Sequence, residues 1–257
     1  MEKIQRPIAA FDLDGTIFRG SLLDKLTERL CRTGFIPNVF AMHMVQLFIQ
    51  QNERQIPYRL YEEKLVRLLL AALRGKKQSE LIKIANLVMA DAAGQTYSFT
   101  TTLLAQLRQT HDCIVVTAGM SETADDLAEY WGFQTCFSSV FEVKNGLYTG
   151  GVASTVAHDK GQTLKTRLTT ANHTTLTGSI AIGDSRSDIP LLSEVEQPIA
   201  FNPDHELMNR AERERWPVVL EQKNVIYVLQ CGACTQFSTD DAVKAVRLIT
   251  TECRQLQ

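Results

Sequence analysis

Two aspartates follow the first apolar run of the chain, in the stretch Pro7-Ile8-Ala9-Ala10-Phe11-Asp12-Leu13-Asp14-Gly15-Thr16. A short apolar run that ends in turn-forming residues is typical of a buried strand. Carboxylates two residues apart, just beyond that strand, can converge on one hard cation while one of them stays free to attack. Gly15 allows a sharp turn that brings backbone N–H groups, with Thr16 beside them, close to a phosphate. A solvent-facing Asp-Gly turn is the alternative interpretation.

Two later apolar runs, residues 113–116 and 179–182, also lead directly into polar, turn-forming residues. Each is followed by a helix-like spacing of apolar side chains. Strands that alternate with helices are typical of an α/β fold with a Rossmann-like, doubly wound and mainly parallel sheet. Ligands of such sheets bind beyond the carboxyl ends of the strands, which is where Asp12, Thr117 and Asp184 would lie.

The third apolar run leads into a second pair of carboxylates, in Ile182-Gly183-Asp184-Ser185-Arg186-Ser187-Asp188. Asp184 and Asp188 are four residues apart, so they share a face if the segment is helical. A third carboxylate aimed at the same point would complete a Mg²⁺ site together with waters and a substrate oxygen. The alternative is a helix-capping aspartate followed by a solvated first turn.

Two further features are candidates for phosphate binding. The hydroxyl of Thr117, followed by Ala118 and Gly119, can bind a phosphate oxygen through side chain and backbone. Lys160 supplies a point charge suited to a phosphoryl group. Each signal is weak alone, because turns after strands often contain Thr or Gly and because most lysines lie on the surface.

Residues 22–91 have helical rather than strand-like periodicity. We expect an inserted helical cap, with hinges near Gly20-Ser21 and Ala93-Gly94, whose apolar stripes form its own core rather than a partner-binding face. Asn145-Gly146 favours a type I′ turn between two strands. The expected division is a catalytic core of residues 1–20 and 95–222, a cap of residues 21–94, and a C-terminal extension of residues 223–257 without an assigned role.

The ordered set of motifs resembles the haloacid dehalogenase-like superfamily, and within it the phosphoserine phosphatase branch with an inserted helical cap. The resemblance covers roughly residues 6–220. It rests on Asp12-x-Asp14-Gly15-Thr16, Thr117, Lys160 and Gly183-Asp184-x-x-x-Asp188, and also on residues 146–150 and on Asn202-Pro203-Asp204.

The resemblance implies a Mg²⁺-dependent phosphatase. Asp12 would attack phosphorus and become an aspartyl phosphate, and Asp14 would protonate the leaving oxygen and then activate water. Asp12, the backbone carbonyl of Asp14, and Asp184 would hold Mg²⁺, with Asp188 in support. Gly15, Thr16, Thr117, Ala118, Gly119 and Lys160 would bind the phosphoryl group. An acid at position 14 favours phosphoryl transfer over dehalogenation, which has no leaving alkoxide to protonate.

The chain departs from the phosphoserine phosphatase pattern where the substrate is recognised. Ser21 stands where those enzymes have a glutamate, and Ser187 where they commonly have an asparagine. Lys64 and Arg67 lie in the region of their cap arginine without aligning to it, and Arg67 fits a solvated helix residue better. We therefore expect a small phosphorylated metabolite other than phosphoserine. Phosphotransfer to another acceptor and non-catalytic binding remain alternatives.

The bulk composition gives no sign of a nucleic-acid or membrane partner. The formal net charge of the 257 residues is −2. The chain therefore has no excess of positive charge that would attract nucleic acid or an anionic membrane. The first apolar run is too short for a signal peptide, and six cysteines do not suggest a disulfide scaffold, so we expect a cytoplasmic protein. The pair Cys231-Gly232-Ala233-Cys234 fits a packing or loop role better than a metal or redox site, and the five histidines have no ligand spacing. The oligomeric state is left open.

Overall fold

The computed structural model describes residues 5–157, 159–170, 174–230 and 232–252. The strands are β1 (Arg6–Phe11), β2 (Asp112–Met120), β3 (Thr135–Lys144), β4 (Leu147–Ser154), β5 (Thr174–Gly183), β6 (Gln197–Phe201), β7 (Val218–Gln222), β8 (Val225–Gln230) and β9 (Ala233–Ser238). The helices are α1 (Leu22–Arg32), α2 (Asn38–Asn52), α3 (Tyr58–Leu73), α4 (Gln78–Ala92), α5 (Ser98–Leu107), α6 (Ser121–Trp131), α7 (Lys160–Thr170), α8 (Ile189–Leu192), α9 (His205–Glu214) and α10 (Ala242–Glu252).

The strands of the described residues form one sheet in the order β4-β3-β2-β1-β5-β6-β7-β8-β9. The six from β3 to β7 are parallel, while β4, β8 and β9 are antiparallel to their neighbours. This arrangement confirms the predicted doubly wound, mainly parallel sheet. Phe11, at the end of β1, pairs with Val115 of β2 and with Ile182 of β5. The segments that follow these residues therefore meet at one edge of the sheet.

Strand β1 lies at the centre of this sheet and is buried on both faces, as its continuous apolar run predicts. Ile8 and Ala10 pack into a cluster that includes side chains of α7, α8 and α9. Ala9 and Phe11 pack on the opposite face with side chains of α5, α6 and α10. Full burial of a side chain such as Ile8 or Phe11 contributes about 1.5–3 kcal/mol. Asp12 therefore follows a strand that is held firmly in place.

The segment between β1 and α5 consists of the four helices α1 to α4, as the periodicity predicts. Most of the predicted apolar stripes are buried in one cluster, which they share with Met120, Phe141 and Tyr148 of the sheet; its members from the stripes are Leu26, Leu30, Leu65, Leu69, Leu73, Leu81, Ala85 and Val88. Helix α2 differs, because it buries Met44 and Leu47 but leaves Val39, Met42 and Val45 more than half exposed.

The two segments that connect these helices to the sheet run side by side. Phe18 forms an antiparallel bridge with Thr96. The backbone N–H of Arg19 donates to the carbonyl of Gln95 at 2.8 Å. Gly20 has a φ of +145°, which favours glycine at this position. The chain thus enters and leaves the helical segment at one place, close to the positions where the sequence suggests hinges.

The β3–β4 hairpin has the predicted turn. Asn145 has a φ of +53° and Gly146 a φ of +77°, and Lys144 pairs with Leu147 across the turn. Positive φ at both central residues is the requirement of a type I′ turn, which asparagine and glycine meet at low cost.

Residues beyond 222 complete one edge of the sheet. Strands β8 and β9 extend it, and α10 packs against α5, with Val246 and Ile249 buried in the same cluster as Phe11. Cys234 lies exposed in β9, and Cys231 lies outside the described residues. Within the described part of the chain, none of the helices combines the length and apolar character that a bilayer-crossing helix needs.

Candidate active site

Asp12 is the first residue after β1 and is only 4% exposed. Its backbone N–H donates to the carbonyl of Ile182 at 2.9 Å, which fixes the loop against β5. Lys160 Nζ donates to Asp12 Oδ1 at 2.5 Å, and Thr16 Oγ1 donates to Oδ2 at 3.2 Å. Burial raises the pKa of Asp12 to about 6, with a further rise from the charge of Asp188, against the lowering effect of Lys160.

The segment after β5 folds back so that Asp188 points at the strand ends. Asp188 Oδ2 accepts from the backbone N–H groups of Asp184 and Ser185, at 3.1 and 2.9 Å, and from the Ser185 hydroxyl at 3.1 Å. Its other oxygen, Oδ1, accepts from Lys160 Nζ at 2.6 Å. A short 3₁₀ helix at Arg186–Asp188, capped by Ser185, replaces the α-helical turn considered from the sequence. Asp188 itself is fully buried, whereas Arg186 and Ser187 of the same turn are exposed.

Asp12, Asp184 and Asp188 together form a group that fits a divalent cation. Each offers one carboxylate oxygen, and these oxygens all lie within 4.8 Å of one another. Burial raises the pKa of Asp184 well above its ordinary value, and the charges of Asp12 and Asp188 raise it further. A hard cation with oxygen ligands would relieve this repulsion. Gly15 makes room for the group, since a Cβ at this residue would lie 2.0 Å from Asp184 Oδ2.

The carboxylate of Asp14 lies apart from that group. Its Oδ2 accepts from the backbone N–H of Leu22 at 3.1 Å, whereas its Oδ1 is buried without a hydrogen-bond partner among the described residues. Burial raises the pKa of Asp14 well above its ordinary value, and the charge of Asp12 adds to the effect. A raised pKa favours the protonated form of a carboxyl group, which is the form that acts as a general acid.

Lys160 begins α7 and is almost completely buried. Burial alone would lower its pKa, but the carboxylates of Asp12 and Asp188 raise the pKa above its ordinary value. The lysine is therefore cationic and bridges the two acidic segments. Gly161 allows α7 to approach so closely, because a Cβ there would lie 2.7 Å from the carbonyl oxygen of Pro190.

The other predicted phosphate-binding residues lie at the same edge of the sheet, in surroundings that the sequence did not fully predict. Strand β2 continues to Met120 instead of ending before Thr117, and its register with β3 shifts between Val116 and Met120. Ala118 and Gly119 lie in this irregular part, and the N–H of Gly119 donates to Thr117 Oγ1 at 3.0 Å.

The backbone N–H groups of the first loop are engaged within the loop. That of Gly15 donates to the carbonyl of Phe18 at 2.9 Å, and that of Thr16 to the carbonyl of Leu13 at 3.3 Å. Phosphate contacts from Gly15 and Thr16 remain predictions. The observed contribution of Thr16 is the hydrogen bond from its hydroxyl to Asp12.

Sequence reasoning included Asp204 among the residues of the resemblance but did not predict that it holds the Asp184 loop in place. The N–H of Asp204 donates to the carbonyl of Asp184 at 2.8 Å, and Asp204 Oδ2 accepts from the N–H of Arg186 at 2.9 Å. Asp204 also caps α9 by accepting from the N–H of Leu207. The available signal was an aspartate placed immediately before a helix-like segment.

The residues at which the chain departs from the phosphoserine phosphatase pattern now have structural explanations. The hydroxyl of Ser21 caps α1 by accepting from the N–H of Asp24 at 3.1 Å. Lys64 and Arg67 are exposed, which confirms the interpretation of Arg67 as a solvated helix residue. Ser187 is exposed too, with its hydroxyl 2.9 Å from that of Ser185. The histidines at positions 158 and 173 lie outside the described residues.

With this geometry, the family of the chain can be stated. The model of the haloacid dehalogenase-like hydrolases matches residues 9–193, which is well over half of the chain. The chain belongs to that family and is an enzyme of the hydrolase class, as the motifs predict. The match includes all four charged residues that converge at the strand ends: Asp12, Lys160, Asp184 and Asp188.

Relatives of known name are phosphatases. A phosphoserine phosphatase of Mycobacterium tuberculosis is 24% identical over 219 residues, which cover 82% of this chain and 69% of that protein. A histidinol-phosphatase of Neisseria meningitidis is 24% identical over 225 residues, which cover 82% of this chain and 97% of the relative.

Solved structures agree with the predicted fold. A Bordetella pertussis protein of unknown function superposes with a TM-score of 0.69 at 25% identity, covering 83% of this chain and 98% of that one. A phosphoserine phosphatase bearing an analogue of a phospho-aspartyl intermediate superposes with a TM-score of 0.60 at 18% identity, covering 85% and 95%. At that identity, the second likeness concerns the fold alone.

Proposed function

We propose that this enzyme is a Mg²⁺-dependent phosphomonoesterase that forms an aspartyl phosphate on Asp12. The observation that carries the proposal is the position of the Asp12 carboxylate, which accepts from Lys160 and lies within 4.8 Å of oxygens of Asp184 and Asp188. Such a site gathers a nucleophile, a fixed positive charge and a ligand group for a cation at one point. Phosphatases among the relatives support the same reaction class.

The first step is attack of an Asp12 oxygen on the phosphorus of the monoester. The new bond from oxygen to phosphorus forms as the bond from phosphorus to the alcohol oxygen breaks. Carboxylate and phosphate are both anionic, and each unit-charge repulsion at about 4 Å costs about 4 kcal/mol at an effective dielectric near 20. Lys160, which already contacts Asp12, offsets part of this repulsion and stabilises charge on the transferring group.

Asp14 supplies the proton in the first step and takes one in the second. Its raised pKa favours the protonated carboxyl, and its Oδ1 has no competing partner among the described residues. The proton passes to the leaving alcohol oxygen. The resulting carboxylate then removes a proton from the water that attacks the phosphorus, which releases inorganic phosphate and restores Asp12.

A divalent cation completes the charge balance of this site. Asp12, Asp184 and Asp188 would hold it, with the backbone carbonyl of Asp14 as the further ligand implied by the resemblance. When bound, Mg²⁺ would neutralise charge on the carboxylates and the phosphoryl oxygens. Asp204 and Ser185 would keep Asp184 and Asp188 in position through their hydrogen bonds.

The substrate class follows from the helical segment α1–α4, which we propose acts as a cap. The two connections to the sheet lie side by side at Phe18 and Thr96, so the cap would move as a unit. When closed over a small substrate, it would exclude bulk water from the site. A small phosphorylated metabolite fits such a closed site. Two expectations stay predictions from the sequence: the enzyme is cytoplasmic, and nucleic acid is not its substrate.

Two alternatives have tests of their own. Phosphotransfer would use the same residues and would show as phosphorylated alcohol when alcohols are added. A non-catalytic binding role would predict no phosphate release from any phosphomonoester. Retention of Asp12, Asp14, Asp184 and Asp188 together argues against that second alternative, since a site without catalysis has no need of all four.

Phosphate release from small phosphomonoesters and 4-nitrophenyl phosphate, with Mg²⁺ or with a chelator, tests the proposal. We expect release that requires Mg²⁺ and is abolished in Asp12→Asn. The control is Asp126→Asn, an exposed aspartate on α6 that should retain full activity. Unchanged activity in Asp12→Asn would reject the proposed nucleophile.

A further inference from the structure

The helical cap contacts the sheet at a second place, besides its two connections. The turn between α3 and α4 pairs with the hairpin of β3 and β4, and we call these two segments, residues 75–78 and 146–148, the cap joint. Lys77 and Leu147 form an antiparallel bridge at its centre. The cap is therefore fastened to the sheet both where the chain enters and leaves it and where it meets the hairpin.

Backbone hydrogen bonds lie on both sides of this bridge. The N–H of Tyr148 donates to the carbonyl of Lys76 at 3.0 Å, and the carbonyl of Tyr148 accepts from the N–H of Gly75 at 2.8 Å. The N–H of Gln78 donates to the carbonyl of Gly146 at 3.0 Å. The cap joint is thus a short antiparallel ladder, and separation of its two segments would break all three of these hydrogen bonds.

Apolar packing accompanies the hydrogen bonds. The side chain of Tyr148 is only 2% exposed and lies in the same buried cluster as Leu69 and Leu73 of the cap. Phe141 of β3 and Met120, the last residue of β2, belong to that cluster as well. Movement of the cap away from the hairpin would expose these side chains to water, which is unfavourable. The position of the cap is therefore linked to the end of β2.

Glu122, in the first turn of α6, reaches the cap joint and has no role in the reaction described above. Its Oε1 accepts from the hydroxyl of Tyr148 at 2.5 Å and from Nε2 of Gln78 at 3.3 Å. Its Oε2 accepts from the hydroxyl of Ser121 at 3.0 Å. One carboxylate thus binds a side chain of the cap and a side chain of the hairpin at the same time.

Helix α6 directly follows the segment that we expect to bind phosphate. Residues 117–119 lie in the irregular end of β2, and only Met120 and Ser121 separate them from Glu122. A phosphate bound to residues 117–119 and the cap joint would therefore act on the same short piece of backbone. Coupling of this kind is reciprocal: if the joint positions the segment for phosphate, then bound phosphate stabilises the joint.

We infer that Glu122 is a positioning residue, which links the cap to the phosphate-binding segment through its hydrogen bonds to Tyr148 and Gln78. This inference rests on the proposed function, because it requires that phosphate binds to residues 117–119. A residue that only stabilised the fold would leave substrate binding by the folded enzyme unchanged, whereas a positioning residue affects KM.

The kinetic test uses 4-nitrophenyl phosphate with Mg²⁺. We expect Glu122→Ala and Tyr148→Phe each to lower kcat/KM about tenfold, chiefly through a higher KM, because a hydrogen bond to a charged group is lost and the binding-competent arrangement is less populated. Glu122→Gln keeps an acceptor oxygen and should recover most of the loss. Glu129→Ala is the matched control, since Glu129 is exposed on the same helix, and it should match the wild type.

Hydrogen–deuterium exchange tests the link without turnover. Amide exchange is followed with Mg²⁺ present, with and without inorganic phosphate. In the wild type, we expect phosphate to slow exchange both in residues 117–120 and in the cap joint. In Glu122→Ala and in Tyr148→Phe, phosphate should slow exchange in residues 117–120 but much less in the joint.

The outcomes separate the inference from the proposed function. If phosphate slows exchange only in residues 117–120 of the wild type, or if KM is unchanged in both Glu122→Ala and Tyr148→Phe, the inference is overturned and the phosphatase proposal stands. Should Glu122→Ala fail to fold, Tyr148→Phe decides the question alone, because it leaves no buried hydroxyl unpaired. Absence of any effect of phosphate on exchange, together with no release from 4-nitrophenyl phosphate, would reject the proposed function and the inference together.

Discussion

Asp12 and Asp14 are two residues apart, yet their surroundings prepare them for different tasks. Asp12 contacts a lysine and a hydroxyl group, and its pKa is raised only to about 6, so it is largely ionised at neutral pH. Asp14 has no cation beside it among the described residues, and its pKa is raised well above the ordinary value. Carboxyl groups whose pKa values are separated in this way divide into a nucleophile and an acid.

Replacement of the acid should depend on the leaving group. We expect Asp14→Asn to lower kcat/KM for an alkyl phosphate by about 10²–10⁴-fold, the usual contribution of general acid catalysis. The loss should be smaller for 4-nitrophenyl phosphate, whose leaving phenolate needs little protonation. Kinetics over a series of leaving groups measures the difference. An equal loss for every leaving group would contradict the role of Asp14 as acid.

Lys160 also has a role in stability, because it lies between two buried carboxylates. Lys160→Met leaves Asp12 and Asp188 without their cation, which should cost about 3–5 kcal/mol of unfolding free energy in a chelator. Denaturant unfolding measures this. Lys165→Met, on the exposed side of the same helix, removes only a surface pair with Glu194 and should cost less than about 1 kcal/mol. Similar losses in both variants would show that the buried lysine is not needed to balance this charge.

At the scale of elements, the junction between the sheet and the helical segment depends on Glu221. This buried carboxylate at the end of β7 accepts from the N–H groups of Ser98 and Phe99, at 2.9 and 2.8 Å, and pairs with Arg19. Glu221 therefore satisfies the N-terminus of α5. Through Arg19, it also contacts the segment that connects β1 to the helical cap.

Loss of this contact should weaken the whole junction. We expect Glu221→Ala to lower the unfolding free energy by about 2–3 kcal/mol, since two buried backbone N–H groups and Arg19 lose their acceptor. Thermal or denaturant unfolding measures the change, and Glu212→Ala on the exposed face of α9 is the control. A variant as stable as the control would contradict the capping role.

The elements around the candidate site could be predicted where their signals are local. The run before Asp12 is apolar on both faces of β1, and Asn145-Gly146 fits its turn without reference to distant residues. The continuation of β2 past Thr117 could not be predicted, because it depends on pairing with β3. The contact of Asp188 with Lys160, which is 28 residues away, is non-local, and so is that of Asp24 with Tyr61.

At the scale of the whole molecule, one cation would join loops that are far apart in sequence. Asp12 and Asp184 belong to segments after different strands, brought together only because β1 and β5 are neighbours in the sheet. The C-terminal strands β8 and β9 and helix α10 complete the same sheet and core. Their sequence contains no motif from which this position could be predicted.

Binding of Mg²⁺ should therefore stabilise the fold. At a concentration 100 times the Kd, we expect about 2.7 kcal/mol of added unfolding free energy in the wild type. Asp184→Asn should lose most of this response, whereas Asp126→Asn should keep it. Melting curves with Mg²⁺ and with a chelator measure the effect. If the melting temperature of the wild type is the same with Mg²⁺ and with the chelator, the assignment of the three aspartates as a cation site is contradicted.

The central claim is that Asp12 carries the phosphoryl group during turnover. Rapid acid quench during turnover, followed by borohydride reduction and peptide mass mapping, locates an aspartyl phosphate directly. We predict a reduced aspartate at position 12, dependent on substrate and absent when substrate is omitted. Modification at another residue, or none while phosphate is being released, would contradict the account.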